Sequence, residues 1–144
     1  MKDGVDAQTF RAVMGGFASG VTVVTTLAED GSPRGLTVSA FSSVSLDPPL
    51  CLVCIDKGTG SYEAFRAARG FAVNVLSAEQ ESVSNAFASR REDKFDGVEW
   101  TPGPATGSPI FPTALATLDW YVSHWPALVN HPERHAGVNE LFTI

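Results

Sequence analysis

Apolar residues recur at steps of three and four through Phe10, Val13, Met14, Phe17 and Ala18, a spacing that predicts a short helix weakened by Gly15-Gly16 and ended near Gly20. The period then changes. Val21 to Leu27 alternates β-branched residues with Thr and meets Glu29-Asp30-Gly31-Ser32-Pro33, a turn signal that predicts a hairpin. Gly35 to Ser45 and Leu50 to Asp56 read as two further strands, parted by Asp47-Pro48-Pro49, where proline forbids a continuous ladder. Ser61 opens a helix over SYEAFRAARG, its hydroxyl the predicted cap and Gly70 the stop. Phe71 to Leu76 predicts a strand and Ser77 to Ala88 another helix, with Glu63 and Glu79 at early helical positions. Glu99 to Pro112, dense in Pro, Gly, Ser and Thr, predicts a surface loop, and Thr113 to Val122 a last strand.

Three strands in the first third of the chain need closure or a second layer to bury their apolar faces. The order of elements is not that of a doubly wound nucleotide-binding fold, and the chain has no GxGxxG, Walker loop or HExxH. The 144 residues fit one domain, 1–144. Phe17, Phe41, Phe65, Phe71 and Phe87 are assigned to core packing, whereas Trp100, Trp120 and Trp125 are open between ring cover and a dimer contact.

A net charge of -6 and a pI near 4.9 predict repulsion from nucleic-acid backbones, although one nucleotide cofactor needs only local donors. Cys51 and Cys54, three apart in an apolar strand, point to opposite faces, which predicts two structural thiols and no disulfide. His124, His131 and His135 are read as ordinary tail residues, since Pro132 disrupts a regular helix between the last two, and no metal is expected. MKDGVDAQTF does not fit a signal peptide, and no run approaches the roughly 18 apolar residues of a membrane span, which predicts a cytoplasmic protein without membrane contact.

The segments FASGVTVVTT, GLTVSAFSSVSLDPPLCLVCIDKGTGSYEAF and GFAVNVLSAEQESVSNAFASRREDKF carry a resemblance that runs from about Phe10 to Leu118. In order and spacing, including SVSLDPPL and the FASRREDKF stretch, they resemble the short-chain flavin reductases, the reductase component of two-component flavin monooxygenases. The resemblance implies a mainly β FMN-binding split barrel with short peripheral helices, usually a homodimer. It also implies use of NADH or NADPH to reduce FMN or FAD, with reduced flavin passed to a monooxygenase partner.

On that resemblance, Thr37, Val38, Ser39, Ala40, Cys54, Asp56, Lys57, Ser61 and Arg90 are the candidate flavin-binding residues. Alternation would set Thr37 and Ser39 on one face with Phe41, their hydroxyls offered to flavin acceptors, with small Ala40 admitting a flat ring. Lys57 and Ser61, at the entrance to a helix, suit a phosphate, and Arg90 supplies a second phosphate donor through its planar fork. Asp93 and Lys94 are expected to fix their loop. The bland alternatives are a solvated strand face, a capped loop and a charged helix end.

After Val122 the chain departs from the family pattern. The family's Gly-Asp-His group is absent from SHWPALVNHPERHAGVNELFTI, and the residues that would close the barrel are altered or missing, whether as a natural variant, a shortened chain or an altered end. The leading expectation is an NAD(P)H:flavin oxidoreductase in which no side chain is an obligatory nucleophile. Two rivals stay open: a flavin-binding or partner-binding protein that has lost turnover because of this end, and a purely structural split-barrel module.

Overall fold

A computed structural model describes residues 6–122 and 140–143. Helix α1 (Ala7–Gly15) starts at Asp6, whose carboxylate accepts the N–H groups of Gln8 and Thr9 at 2.9 and 3.0 Å. It ends earlier than predicted, at Gly15, and buries nothing. Phe10, Val13, Met14 and Phe17 stay 47–70 % exposed, so the assignment of Phe17 to the core is overturned. The apolar spacing is present, but nothing in the described residues covers it.

Four strands follow: β1 (Thr22–Leu27), β2 (Pro33–Val38), β3 (Phe41–Leu46) and β4 (Pro49–Ile55). Then come α2 (Tyr62–Ala67), β5 (Gly70–Val75), a 3-10 turn at Ala78–Gln80 and α3 (Glu81–Ala88). The short strands β6 (Thr101–Pro102) and β7 (Pro109–Ile110), then β8 (Ala116–Tyr121) and β9 (Glu140–Thr143), complete the described elements. One antiparallel sheet has the order β2-β1-β5-β8 and another the order β3-β4-β9. The class is mainly β with short helices, as the resemblance implies.

The predicted strand from Gly35 to Ser45 is two strands in two sheets. The chain bends at Ser39-Ala40, where the Phe41 N–H donates to the Ser39 carbonyl at 3.0 Å, a corner that lets a strand change sheets. Phe41 consequently packs against the cluster that holds Val38, not on a face with Thr37. The Asp47-Pro48 pair forms the β3–β4 turn, its peptide bond cis, and pairing resumes at once with Leu46 opposite Pro49. Proline at the first position of a strand removes no ladder bond.

The two sheets enclose one core, in which Val24, Leu36 and Val38 meet Val53, Ile55, Phe65 and Phe71. The other face of the first sheet is covered as well, by Phe87, Phe111 and Leu76 around Val23. Burial on both faces explains why β1 and β5 are buried along most of their length. The threonines of β1 survive there because their hydroxyls donate to carbonyls: Thr22 to Val38 at 2.7 Å and Thr26 to Gly70 at 3.0 Å.

The segment Glu99 to Pro112 is more than the surface loop predicted. β6 and β7 form a small ribbon, and Ser108, Pro109 and Phe111 are buried. Fully buried Asn74 fixes it: its amide donates to the Val23 and Pro109 carbonyls at 3.2 and 3.3 Å, and its oxygen accepts the Phe111 N–H at 2.8 Å. Beyond Val122, the described strand β9 pairs with β4 from Leu52–Thr143 to Ile55–Glu140. His124, Trp125, His131 and His135 lie outside the described residues.

Candidate functional site

Strand β2 is an edge of its sheet, so backbone groups on its outer side need partners from elsewhere. The Gly35 carbonyl finds two: the Ser61 hydroxyl at 3.2 Å and the Lys94 ammonium at 3.4 Å. Lys94 also donates to the Phe87 carbonyl at 3.1 Å, near the end of α3. These contacts draw three segments, Pro33–Thr37, Asp56–Ser61 and Phe87–Phe95, around a cleft of about 820 Å³. Gly35 makes the approach possible, since a Cβ there would stand 2.8 Å from the Phe87 ring.

Thr37, Asp56, Ser61 and Arg90 line this one cleft. Val38 does not: it is 4 % exposed in the core, and its carbonyl accepts from Thr22. Ser39 and Ala40 are exposed at the bend two residues beyond the cleft, and Lys57 is exposed between lining residues without lining it. Cys54 sits half-buried on β4, its N–H donating to the Ala40 carbonyl at 3.1 Å. Burial pushes both thiols above their usual value, Cys51 and Cys54 alike, which suits unreactive residues.

Two hydroxyls picked as ligand donors already donate to protein. Thr37 Oγ1 donates to the Ser84 carbonyl at 2.6 Å, so only its lone pairs face a ligand. Ser61 does not cap α2; its proton goes to Gly35. Among the described residues, the buried side-chain polar atom left without a hydrogen-bond partner is Thr59 Oγ1, in a residue that lines the cleft. No sequence signal separated Thr59 from its neighbours in KGTGS.

The charges in the cleft differ from those of the chain. Arg34, Arg90, Arg91 and Lys94 line it against Asp56 and Glu92. Asp93 neutralises Arg91 through bonds of 2.7 and 2.5 Å, and the Arg91 guanidinium holds the Asp93 carboxyl below its ordinary range. Asp56 accepts the Gly58 N–H at 2.7 Å and so shapes its own loop. Burial pulls the Lys94 pKa down. Lys94 fixes the loop, as expected, by tying it to β2 and α3. Among the described residues no three His, Cys, Asp or Glu side chains converge for a metal.

An open two-sheet barrel with a cation-lined cleft on a strand edge suits proteins that hold phosphorylated cofactors. The family model of the flavin reductase like domain matches residues 14–134, and the chain belongs to that family. It is 43 % identical over 119 residues to the reductase subunit HsaB of a flavin-dependent monooxygenase from Mycobacterium tuberculosis, covering 83 % of this chain and 63 % of that one. It is 50 % identical over 106 residues to a flavin reductase (NADH) of Kitasatospora aureofaciens, covering 74 % and 56 %. The solved structure of the Streptomyces globisporus C-1027 NADH:FAD oxidoreductase SgcE6, in complex with NAD and FAD fragments, superposes with a TM-score of 0.81 at 35 % identity, over 98 % of this chain and 81 % of that one. The chain spans 36 to 63 % of the length of several curated relatives.

Proposed function

We propose that the protein is an NAD(P)H:flavin oxidoreductase that reduces FMN or FAD and supplies reduced flavin to a partner monooxygenase. The observation that carries the reading is the convergence of Thr37, Asp56, Ser61 and Arg90 on one cleft along β2, in a chain of the flavin reductase family. The cleft fits a flavin's phosphate end: it offers the Arg90 guanidinium and the buried Thr59 hydroxyl, neither with a side-chain partner among the described residues. When bound, a flavin supplies the hydride-accepting chemistry. The protein's part is to hold and orient: Arg90 grips phosphate, Lys94 keeps the wall beside it in place, and the exposed Ser39-Ala40 bend leaves room for a flat ring.

The proposal extends to a homodimer, because the α1 stripe of Phe10, Val13, Met14 and Phe17 exposes apolar surface that a second copy would cover. A cytoplasmic location without nucleic-acid partners accords with the net charge of -6, and no helix among the described residues is long and apolar enough to cross a membrane. Anaerobic titration with each flavin, followed by each reduced nicotinamide, is the test. Bleaching of the flavin absorption on nicotinamide addition is expected. Tight flavin binding with no bleaching would favour the binding-only rival, and no binding at all would leave a structural module.

A further inference from the structure

Residues 88–93 link the end of α3 to Lys94 and carry Arg90, the guanidinium on the cleft without a side-chain partner among the described residues. The remainder of this loop is tied to itself. The Ser89 hydroxyl donates to the Ala86 carbonyl at 2.7 Å, the Arg91 N–H donates to the Ser89 hydroxyl oxygen at 3.3 Å, and Asp93 holds the Arg91 side chain. A loop closed on itself can still swing as one piece, so its place over the cleft depends on how its ends are anchored.

At the far end, Lys94 and Phe95 both turn back onto Phe87. The Phe95 ring packs edge-on against the Phe87 ring, with centroids 4.9 Å apart, and closes the loop through apolar contact. The Lys94 ammonium donates to the Phe87 carbonyl at 3.1 Å, one of the last-turn carbonyls that a helix leaves without an internal partner, and to the Gly35 carbonyl of β2 at 3.4 Å. One cation thus caps α3 from seven residues downstream and fixes the loop's distance from β2. Removing the ammonium while keeping an apolar stem leaves the Phe95–Phe87 contact in place, so the loop stays attached but loses that fixed distance. We propose that Lys94 is the positioning residue of Arg90: it sets where the loop's guanidinium stands on the cleft and acts on a bound ligand through that group. The proposal rests on the reading that Arg90 grips a flavin's phosphate.

Wild type, Lys94→Met, Arg90→Gln and the double variant are compared, with Lys94→Arg as the conservative control and folding checked by thermal unfolding. FMN and riboflavin, which differ by the phosphate, are titrated by flavin fluorescence, and deuterium uptake over residues 88–93 is followed without ligand. R90Q is expected to weaken FMN by about tenfold or more and to spare riboflavin. K94M is expected to weaken FMN by about threefold or more, to spare riboflavin and to speed uptake over 88–93. It should add nothing in the R90Q background, and K94R should recover most of the loss. Unchanged uptake in K94M overturns the proposal, as does a wild-type preference for FMN over riboflavin that K94M leaves intact. An equal loss of FMN in the R90Q background also overturns it, because the ammonium would then attract the phosphate by its own charge. So does a matching loss of riboflavin, the mark of a general disturbance of the cleft. If wild type binds FMN and riboflavin alike while K94M loosens 88–93, Lys94 holds the loop and the phosphate reading of Arg90 falls instead.

Discussion

Gly35 concentrates several demands on one residue: its carbonyl accepts from Ser61 and Lys94, and its missing side chain admits the Phe87 ring. Gly35→Ala is expected to lower stability by about 1–3 kcal/mol through overpacking, read as a shift in the urea midpoint. An unshifted midpoint would mean that the ring moves aside freely. Asn74 is the polar counterpart, a buried amide whose three backbone partners lie on β1 and the β7 segment. Asn74→Ala strands those groups and is expected to cost at least about 2 kcal/mol in the same assay. The thiols give a pH signature. Burial raises both folded-state values above the ordinary 9.0, so their contribution is fully present below that pH and is lost as pH rises through the folded values. Native protein should therefore react slowly with a disulfide reagent near pH 8 and rapidly once unfolded; equal rates would contradict the burial.

At the level of elements, periodicity revealed most helices and strands, because alternation and three-four spacing are local. It did not reveal what covers each face. α1 has the predicted apolar stripe yet packs on nothing described, and the bend at Ser39-Ala40, made of ordinary small residues, conceals a change of sheet. The site was legible to the same degree. Arg90 and Asp56 were readable from a resemblance in the local text, whereas the targets of the Thr37 and Ser61 protons depend on β2 being an edge strand. Arg34 carries no local signal at all; its place in the cleft comes from the register of β2. If the stripe on α1 is a contact between copies, the double substitution Phe10→Ser with Phe17→Ser should convert a dimer to a monomer in sedimentation while leaving the unfolding midpoint of the monomer nearly unchanged, since neither side chain is buried. A wild-type chain that sediments as a monomer would remove that reading.

Over the whole molecule, uneven charge matters more than its sum. The proposed site sets cations gathered along one cleft in an acidic chain, so an anion entering it would be attracted locally against a repelling background, and added salt would screen both effects. Flavin affinity is expected to fall as sodium chloride is raised, with the Arg90→Gln variant less sensitive than wild type; identical salt dependence would separate Arg90 from the phosphate.

The order β2-β1-β5-β8 has a further outcome for how the molecule opens. In that sheet β1 and β5 alone have a neighbour on each side, and both are buried along most of their length. Their backbone amides, Val23, Val24, Ala72 and Val73 among them, should be the last to take up deuterium, exchanging only when the whole domain unfolds. Those of α1, which packs on nothing among the described residues, should exchange early. A deuterium-uptake map would thus trace a protected central ladder, with the cleft-lining edge strand β2 exchanging ahead of it.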